Sequence, residues 1–281
     1  MPEQNLAIAG IPVPRFLYGT AWKEDKTQTL VELALQQGFR GIDTANQRRH
    51  YHEAAVGQAI RAAMQGGLLA RDDLFLQTKF TCQAGQDHRL PYDPGAPTTV
   101  QVEQSFASSL EHLGVERMDS FLLHGPEQRS GLTANDLAAW QAIEAIHDSG
   151  RARLIGVSNF SLEQLERLCQ QARFRPHFVQ NRCHAAQGWD QGVRQFCVAQ
   201  GMVYQGFSLL TANRQVLARP ELVRIAERHG RTPSQIVFRF AIEVGMLPLT
   251  GTTDAVHMQA DLEVLSFRLA PEEIELIEGL R

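Results

Sequence analysis

Cysteine is scarce in this chain: four in 281 residues, at 82, 169, 183 and 197. No two form a C-x-x-C pair, so neither a disulfide framework nor a thiol redox motif is expected. Reduced thiols and a cytoplasmic setting fit that usage. Long apolar runs are missing too. None approaches the roughly 18 residues of a membrane span. The opening MPEQNLAIAG carries Glu3 and no basic stretch ahead of an apolar one, so no secretory leader is expected. There is no basic excess: 27 Lys and Arg stand against 31 Asp and Glu, a net charge of −4. Wholesale binding to nucleic acid or an anionic membrane is therefore not expected. No Pro/Ser-rich linker or charge block interrupts the chain, which reads as one domain over residues 1–281.

Short β-rich runs alternate with longer helical patterns. Eight runs are candidate strands: 16–20, 41–44, 74–80, 119–124, 153–158, 178–181, 202–207 and 246–250. They are nearly continuous apolar stretches, as parallel strands buried on both faces require. Between them, Thr27 is expected to cap a helix that Gly38 ends. Val102, Phe106, Leu110 and Leu113 form an apolar stripe ended by Gly114. Ser161 and Gln164 make a capping box. Pro233 and Pro271 stand at first helical positions. Eight β/α alternations predict an α/β fold, a single (β/α)8 TIM barrel. The rival is an open doubly wound sheet. Its G-x-G-x-x-G mark is absent, because the chain there reads YGTAWKED. Two long connections, 81–98 and 211–220, are expected as loops on the C-terminal face, where barrel active sites are built.

The residues closing the strands carry the chemistry. Asp43, Lys79 and His124 end strands two, three and four, and in a barrel they would converge on one mouth. A buried Asp beside a Lys can be a salt bridge without chemistry. A lone His at a strand end is commonly a satisfied core residue. Three polar groups on three neighbouring strands are harder to account for by packing.

GFRGIDTANQRRHYHEAAVGQAI, LFLQTKF, MDSFLLHGP and IGVSNF resemble, in order, the signature segments of the aldo-keto reductases. The likeness runs from about Gly19 to about Phe267. It implies a barrel that binds a nicotinamide cofactor without a Rossmann domain. It also implies NAD(P)H-dependent reduction of an aldehyde or ketone, or the reverse, by direct hydride transfer. The family tetrad is Asp, Tyr, Lys and His, matched by Asp43, Lys79 and His124. The family tyrosine position, five residues after Asp, is Arg48 here. Two extra residues stand before Glu53, and counted back from Glu53 the family position is His50; Tyr51, the only Tyr nearby, is the residue the resemblance makes the general acid. A phenol, with a pKa of about 10, is a poor acid at neutral pH, and a neighbouring ammonium strengthens it. Asp43 would hold Lys79, and His124 would orient the carbonyl.

The same resemblance implies that Ser158, Asn159 and Gln180 bind the nicotinamide carboxamide and that Phe207 stacks on the ring. Thr20, Ser208, Leu210, Thr250 and His257 complete the implied cofactor set. Trp22, Tyr92 and Gly125 are candidate walls of the substrate pocket. Departures bear on the cofactor. Leu249 stands where many NADP-dependent members have Lys, and His257 falls near an expected Arg. NADP is the family default, and the lost cation keeps NAD open. Arg182 stands where a Glu is frequent.

Two other readings stay open. One is a nicotinamide-binding regulatory or redox-sensing subunit with little turnover. The other is a metal-dependent hydrolase, suggested by the H-x-H of His50 and His52, although no further ligands are evident to complete such a site. The partner is expected to be a small carbonyl or alcohol. The sequence does not name that substrate, nor the oligomeric state.

Overall fold

The computed structural model describes residues 5–281. The chain opens with an antiparallel hairpin, β1 (Asn5–Ile8) and β2 (Ile11–Pro14). Eight strands follow: β3 (Leu17–Gly19), β4 (Gly41–Asp43), β5 (Phe75–Phe80), β6 (Met118–Leu123), β7 (Ala152–Ser158), β8 (Phe178–Arg182), β9 (Val203–Phe207) and β10 (Leu247–Thr250). They pair in parallel, each with its chain neighbour, and β10 closes on β3 to complete a barrel. All eight expected strands are present, with ends moved by at most one residue.

Helices cover the outside, since each parallel strand needs a crossover back to the same end of the sheet. The apolar stripe at 102–113 becomes the helix Thr98–Leu113, and Gly114 ends it in the left-handed conformation with φ 69°. Gly38 ends Thr27–Gln37 in the same way with φ 106°. The Ser161–Gln164 box caps Leu162–Gln171, and a second box, Thr232–Gln235, caps Pro233–Glu243. Thr27 is a correction. It is the first residue of its helix rather than the cap, and its hydroxyl donates back to the Glu24 carbonyl at 2.7 Å. A 3-10 turn at Glu24–Lys26 runs straight into that helix and leaves no extended residue to act as cap.

The hairpin escaped the sequence reading. Two prolines in four residues hide β2 from a strand pattern. Its turn residues, Ala9 and Gly10, both have positive φ. Ile8, Ile11 and Val13 pack against Leu17, Phe75, Phe178 and Leu247 at the strand N-termini. The hairpin thus plugs the bottom of the barrel. The opposite end, where Asp43, Lys79 and Gln180 lie, is left open for a site.

Candidate active site

Asp43 is the last residue of β4 and Lys79 the second-last of β5. Both are buried, and the Lys79 Nζ lies 2.7 Å from each Asp43 carboxylate oxygen. Its third bond goes to the Thr44 carbonyl at 2.8 Å. All three ammonium protons are thereby used, as burial of such a charge demands. Burial pushes the Lys79 ammonium below its ordinary pKa, although Asp43 opposes this.

Tyr51 stands over the pair, with Lys79 Nζ 5.4 Å from its ring centre. His124, just past β6, meets the ring edge-on at 5.8 Å. These two rings are partly exposed at the mouth. Burial and the nearby Asp43 carboxylate raise the Tyr51 pKa. Among the described residues, its hydroxyl has no hydrogen-bond partner. His124 Nδ1 lies 2.6 Å from the Thr81 hydroxyl. Where the Thr81 hydroxyl donates to Nδ1, the single proton of the neutral ring is on Nε2. Burial, with Lys79 and His50 beside it, pushes His124 down to about 3, so the ring is neutral near pH 7.

The two-residue insertion is tied down on both sides. Tyr51 N donates to the Gln47 carbonyl at 3.0 Å. Gln47 Nε2 donates to the Gly85 carbonyl at 2.6 Å, and Gln86 Nε2 to the Asn46 carbonyl at 2.8 Å. The loops after β4 and β5 therefore brace one another. Glu53 opens the next helix, accepting from the Thr78 hydroxyl and lying 3.1 Å from His112 Nδ1. A cavity of about 380 Å³ opens beside Tyr51, lined by Arg48, His52, Arg89 and Leu90 among others.

The residues expected to hold a carboxamide lie at the ends of β7 and β8. Ser158 Oγ donates to the Gln180 carbonyl at 2.8 Å. Asn159, in the left-handed region with φ 60°, donates from Nδ2 to the His124 carbonyl at 2.9 Å. Gln180 spends Nε2 on Asp43 at 3.0 Å and on Gln205 at 2.9 Å, which leaves Oε1 as its acceptor. This supply of acceptors and a hydroxyl fits a primary amide. Phe207 is partly exposed, and Ser208 turns the chain away with φ 57°. Leu210 is partly exposed on the following loop. Thr20 is buried, and its hydroxyl donates to the Asp43 carbonyl at 3.0 Å.

Beyond β10, Thr250 is buried and His257 lies in the helix Ala255–Leu262. Asp254 caps that helix, its carboxylate accepting from His257 N at 3.0 Å. Asp261, in the same helix, is pushed up by burial to about 6. Lys23, absent from the sequence reading, brings its Nζ to the Gly251 carbonyl at 2.7 Å. Burial lowers that ammonium to about 8. Only the pairing of β10 with β3 reveals this neighbour.

Among the expected pocket walls, Trp22 is 70% exposed and stacks on His50 with ring centres 3.9 Å apart. Gly125 leaves room, since an added Cβ would meet nothing closer than 3.6 Å. Tyr92 is corrected. It is buried against Phe80, with its hydroxyl on the Thr81 carbonyl at 2.8 Å, and so anchors its loop instead of walling a pocket. Inward, the ring joins the apolar core while its hydroxyl is satisfied by that carbonyl. Arg182 is exposed at the end of β8. Among the described residues, no group of three or more His, Cys, Asp or Glu side chains is gathered as for a metal ion. No helix there is long and apolar enough to cross a membrane.

Known proteins are similar to this chain over nearly its whole length. The model of the Aldo/keto reductase family matches residues 17–281. The uncharacterized oxidoreductase YtbE of Bacillus subtilis is 28% identical, covering 96% of this chain and 90% of its own. Aldo-keto reductase family 1 member C13 of Mesocricetus auratus is also 28% identical, covering 92% and 84%. A crystal structure of an aldo/keto reductase from Brucella melitensis superposes with a TM-score of 0.85 at 27% identity, covering 100% of this chain and 99% of that one.

Proposed function

Because this chain belongs to the aldo/keto reductase family, we propose that it reduces an aldehyde or ketone to the alcohol with NADPH or NADH, Tyr51 serving as the proton donor. The observation that carries this reading is the convergence of Tyr51, the buried Asp43–Lys79 pair and neutral His124 at one mouth.

A dihydronicotinamide, when bound, supplies hydride to the carbonyl carbon. The protein's own groups manage the oxygen. The Tyr51 hydroxyl, without a hydrogen-bond partner among the described residues, gives its proton to the developing alkoxide. His124 Nε2–H is the second donor aimed at that oxygen, and such preorganised donors stabilise charge as it forms. Asp43 fixes the Lys79 ammonium beneath the phenol, where a positive charge favours phenolate. In the reverse direction the phenolate takes the proton back. Ser158, Asn159 and Gln180 would hold the carboxamide, and Phe207 offers a flat apolar face.

The far end of the cofactor site favours NADH. Leu249 is buried in the apolar cluster with Leu17 and Leu247 and supplies no cation, and the Asp254 carboxylate already caps the helix that a 2′-phosphate could otherwise approach. Lys23 is committed to a carbonyl.

A titration of the wild type and Tyr51→Phe with NADH and NADPH, followed by turnover with a carbonyl panel, tests the proposal. The variant is expected to bind cofactor unchanged and to lose roughly 100-fold or more in kcat, the scale of general acid catalysis. Full turnover in Tyr51→Phe would overturn its assignment. Wild-type binding without turnover across the panel would favour a nicotinamide-sensing subunit instead.

A further inference from the structure

The barrel interior behind the Asp43–Lys79 pair is polar where an apolar filling is the rule. Gln77, Gln180 and Gln205 lie there with Ser120, each no more than 3% exposed. They sit on matching rows of the sheet: Asp43 pairs with Gln77, Gln77 with Ser120, and Gln180 with Gln205. Gln77 and Gln205 exchange hydrogen bonds between their amides, Gln77 Nε2 to Gln205 Oε1 at 2.8 Å and Gln205 Nε2 to Gln77 Oε1 at 3.0 Å. Gln77 Nε2 also donates to Asp43 Oδ1 at 2.7 Å. Ser120 Oγ donates to Gln77 Oε1 at 2.9 Å. Gln180 Nε2 divides its bonds between Asp43 Oδ1 and Gln205 Oε1. Asp43 Oδ1 therefore accepts from Lys79, Gln77 and Gln180 together.

Leu or Val would fill this space without any buried polar atoms to satisfy. A closed amide network is expensive in desolvation and confers orientation in return. We propose that Gln77 and Gln205 are positioning residues for carbonyl reduction: together they fix the Asp43 carboxylate and the Gln180 amide and take up part of the Asp43 charge. The proposal rests on the carbonyl-reduction reading above.

The consequence follows from the charges around the phenol. Tyr51 is faced by Asp43 from β4, Lys79 from β5 and His124 beyond β6, and Glu53 acts on Lys79 from the adjoining helix. Asp43 opposes a Tyr51 phenolate. Amide protons on its Oδ1 weaken that opposition. They also weaken its hold on the Lys79 proton. Removing Gln77 should therefore raise the pKa of both Lys79 and Tyr51.

Gln77→Met keeps the length and removes the amide. Its expected effect is an upward move of the Tyr51-dependent limb of the kcat–pH profile by about one pH unit, the scale of one lost hydrogen bond to a charge. KM for the carbonyl should change little. Gln205→Met, which leaves the Gln77 bond to Asp43 in place, should move the limb less. If one variant does not fold, the other still decides. A second readout is independent of turnover: side-chain NMR of Lys79 in isotope-labelled protein, assigned with Lys79→Met. The Lys79 titration should rise in Gln77→Met. An unmoved limb and an unmoved Lys79 titration in a folded variant would overturn the proposal, even if kcat fell. A wild type that turns over no carbonyl would overturn the functional reading alone, and the Lys79 titration would still test the network.

Discussion

Each member of the tetrad is shaped by what it touches. Lys79 is held as an ammonium only by complete use of its protons, and Asp43 only by its donors. His124 is different, because its environment favours the neutral ring. In the unfolded chain a histidine titrates near 6.5. Folded His124 is held near 3. Between those values the unfolded state binds more protons, so stability present above pH 6.5 is lost as pH falls towards 3. The melting temperature of the wild type should therefore drop more steeply between pH 7 and pH 4 than that of His124→Gln, by roughly 5 °C over the interval. Parallel slopes in scanning calorimetry would contradict this. At this scale the sequence disclosed Asp43, Lys79 and His124, because charged or polar residues ending apolar strands stand out. Thr81, whose hydroxyl meets His124 Nδ1, lies just past its strand and carried no signal of that contact. Gln77 and Gln205 were visible as polar residues inside buried strands, yet nothing in the sequence paired residues 128 positions apart.

The elements succeed or fail by how local their causes are. Helix ends depend on one or two residues, so Gly38, Gly114, the box at Ser161 and the helix start at Pro233 were legible. The bracing of the insertion that carries Tyr51 depends on bonds to Gly85 and Gln86, from the loop after the next strand, and was not. The helix Glu53–Gln65 begins two residues after Tyr51 and crosses Thr98–Leu113 at Gly57. A Cβ on Gly57 would lie 2.0 Å from the His112 carbonyl oxygen. Backbone cannot yield as a flexible side chain would. Gly57→Ala should therefore destabilise the protein by about 1–3 kcal/mol, as overpacking does. Denaturant unfolding measures this, and kcat should fall as the shifted helix moves Tyr51. A variant as stable and active as the wild type would show that the crossing is loose.

Over the whole molecule, stability and chemistry are assigned to opposite ends of the barrel. The hairpin seals one end with apolar side chains, and the tetrad occupies the other. Val13 is fully buried in the seal. Val13→Asp would place an unpaired carboxylate there and should cost about 3 kcal/mol or more. Turnover per folded molecule should stay near wild type, because the mouth is untouched. Melting and active-site titration of the same sample would separate the two effects. A loss of kcat without loss of stability would break this division. By itself the sequence determined the alternation of strand and helix, the parallel barrel it demands, and the residue types at the strand ends. Those follow from periodicity and from the cost of burying charge, which are local properties of a chain. Only the tertiary structure decided that a proline-bearing hairpin plugs the barrel, that Lys23 meets the turn after β10, that Tyr92 faces inward and that three glutamines close a ring behind Asp43. Each of these is a contact between residues far apart in sequence, and barrel closure alone brings them within hydrogen-bond or packing distance.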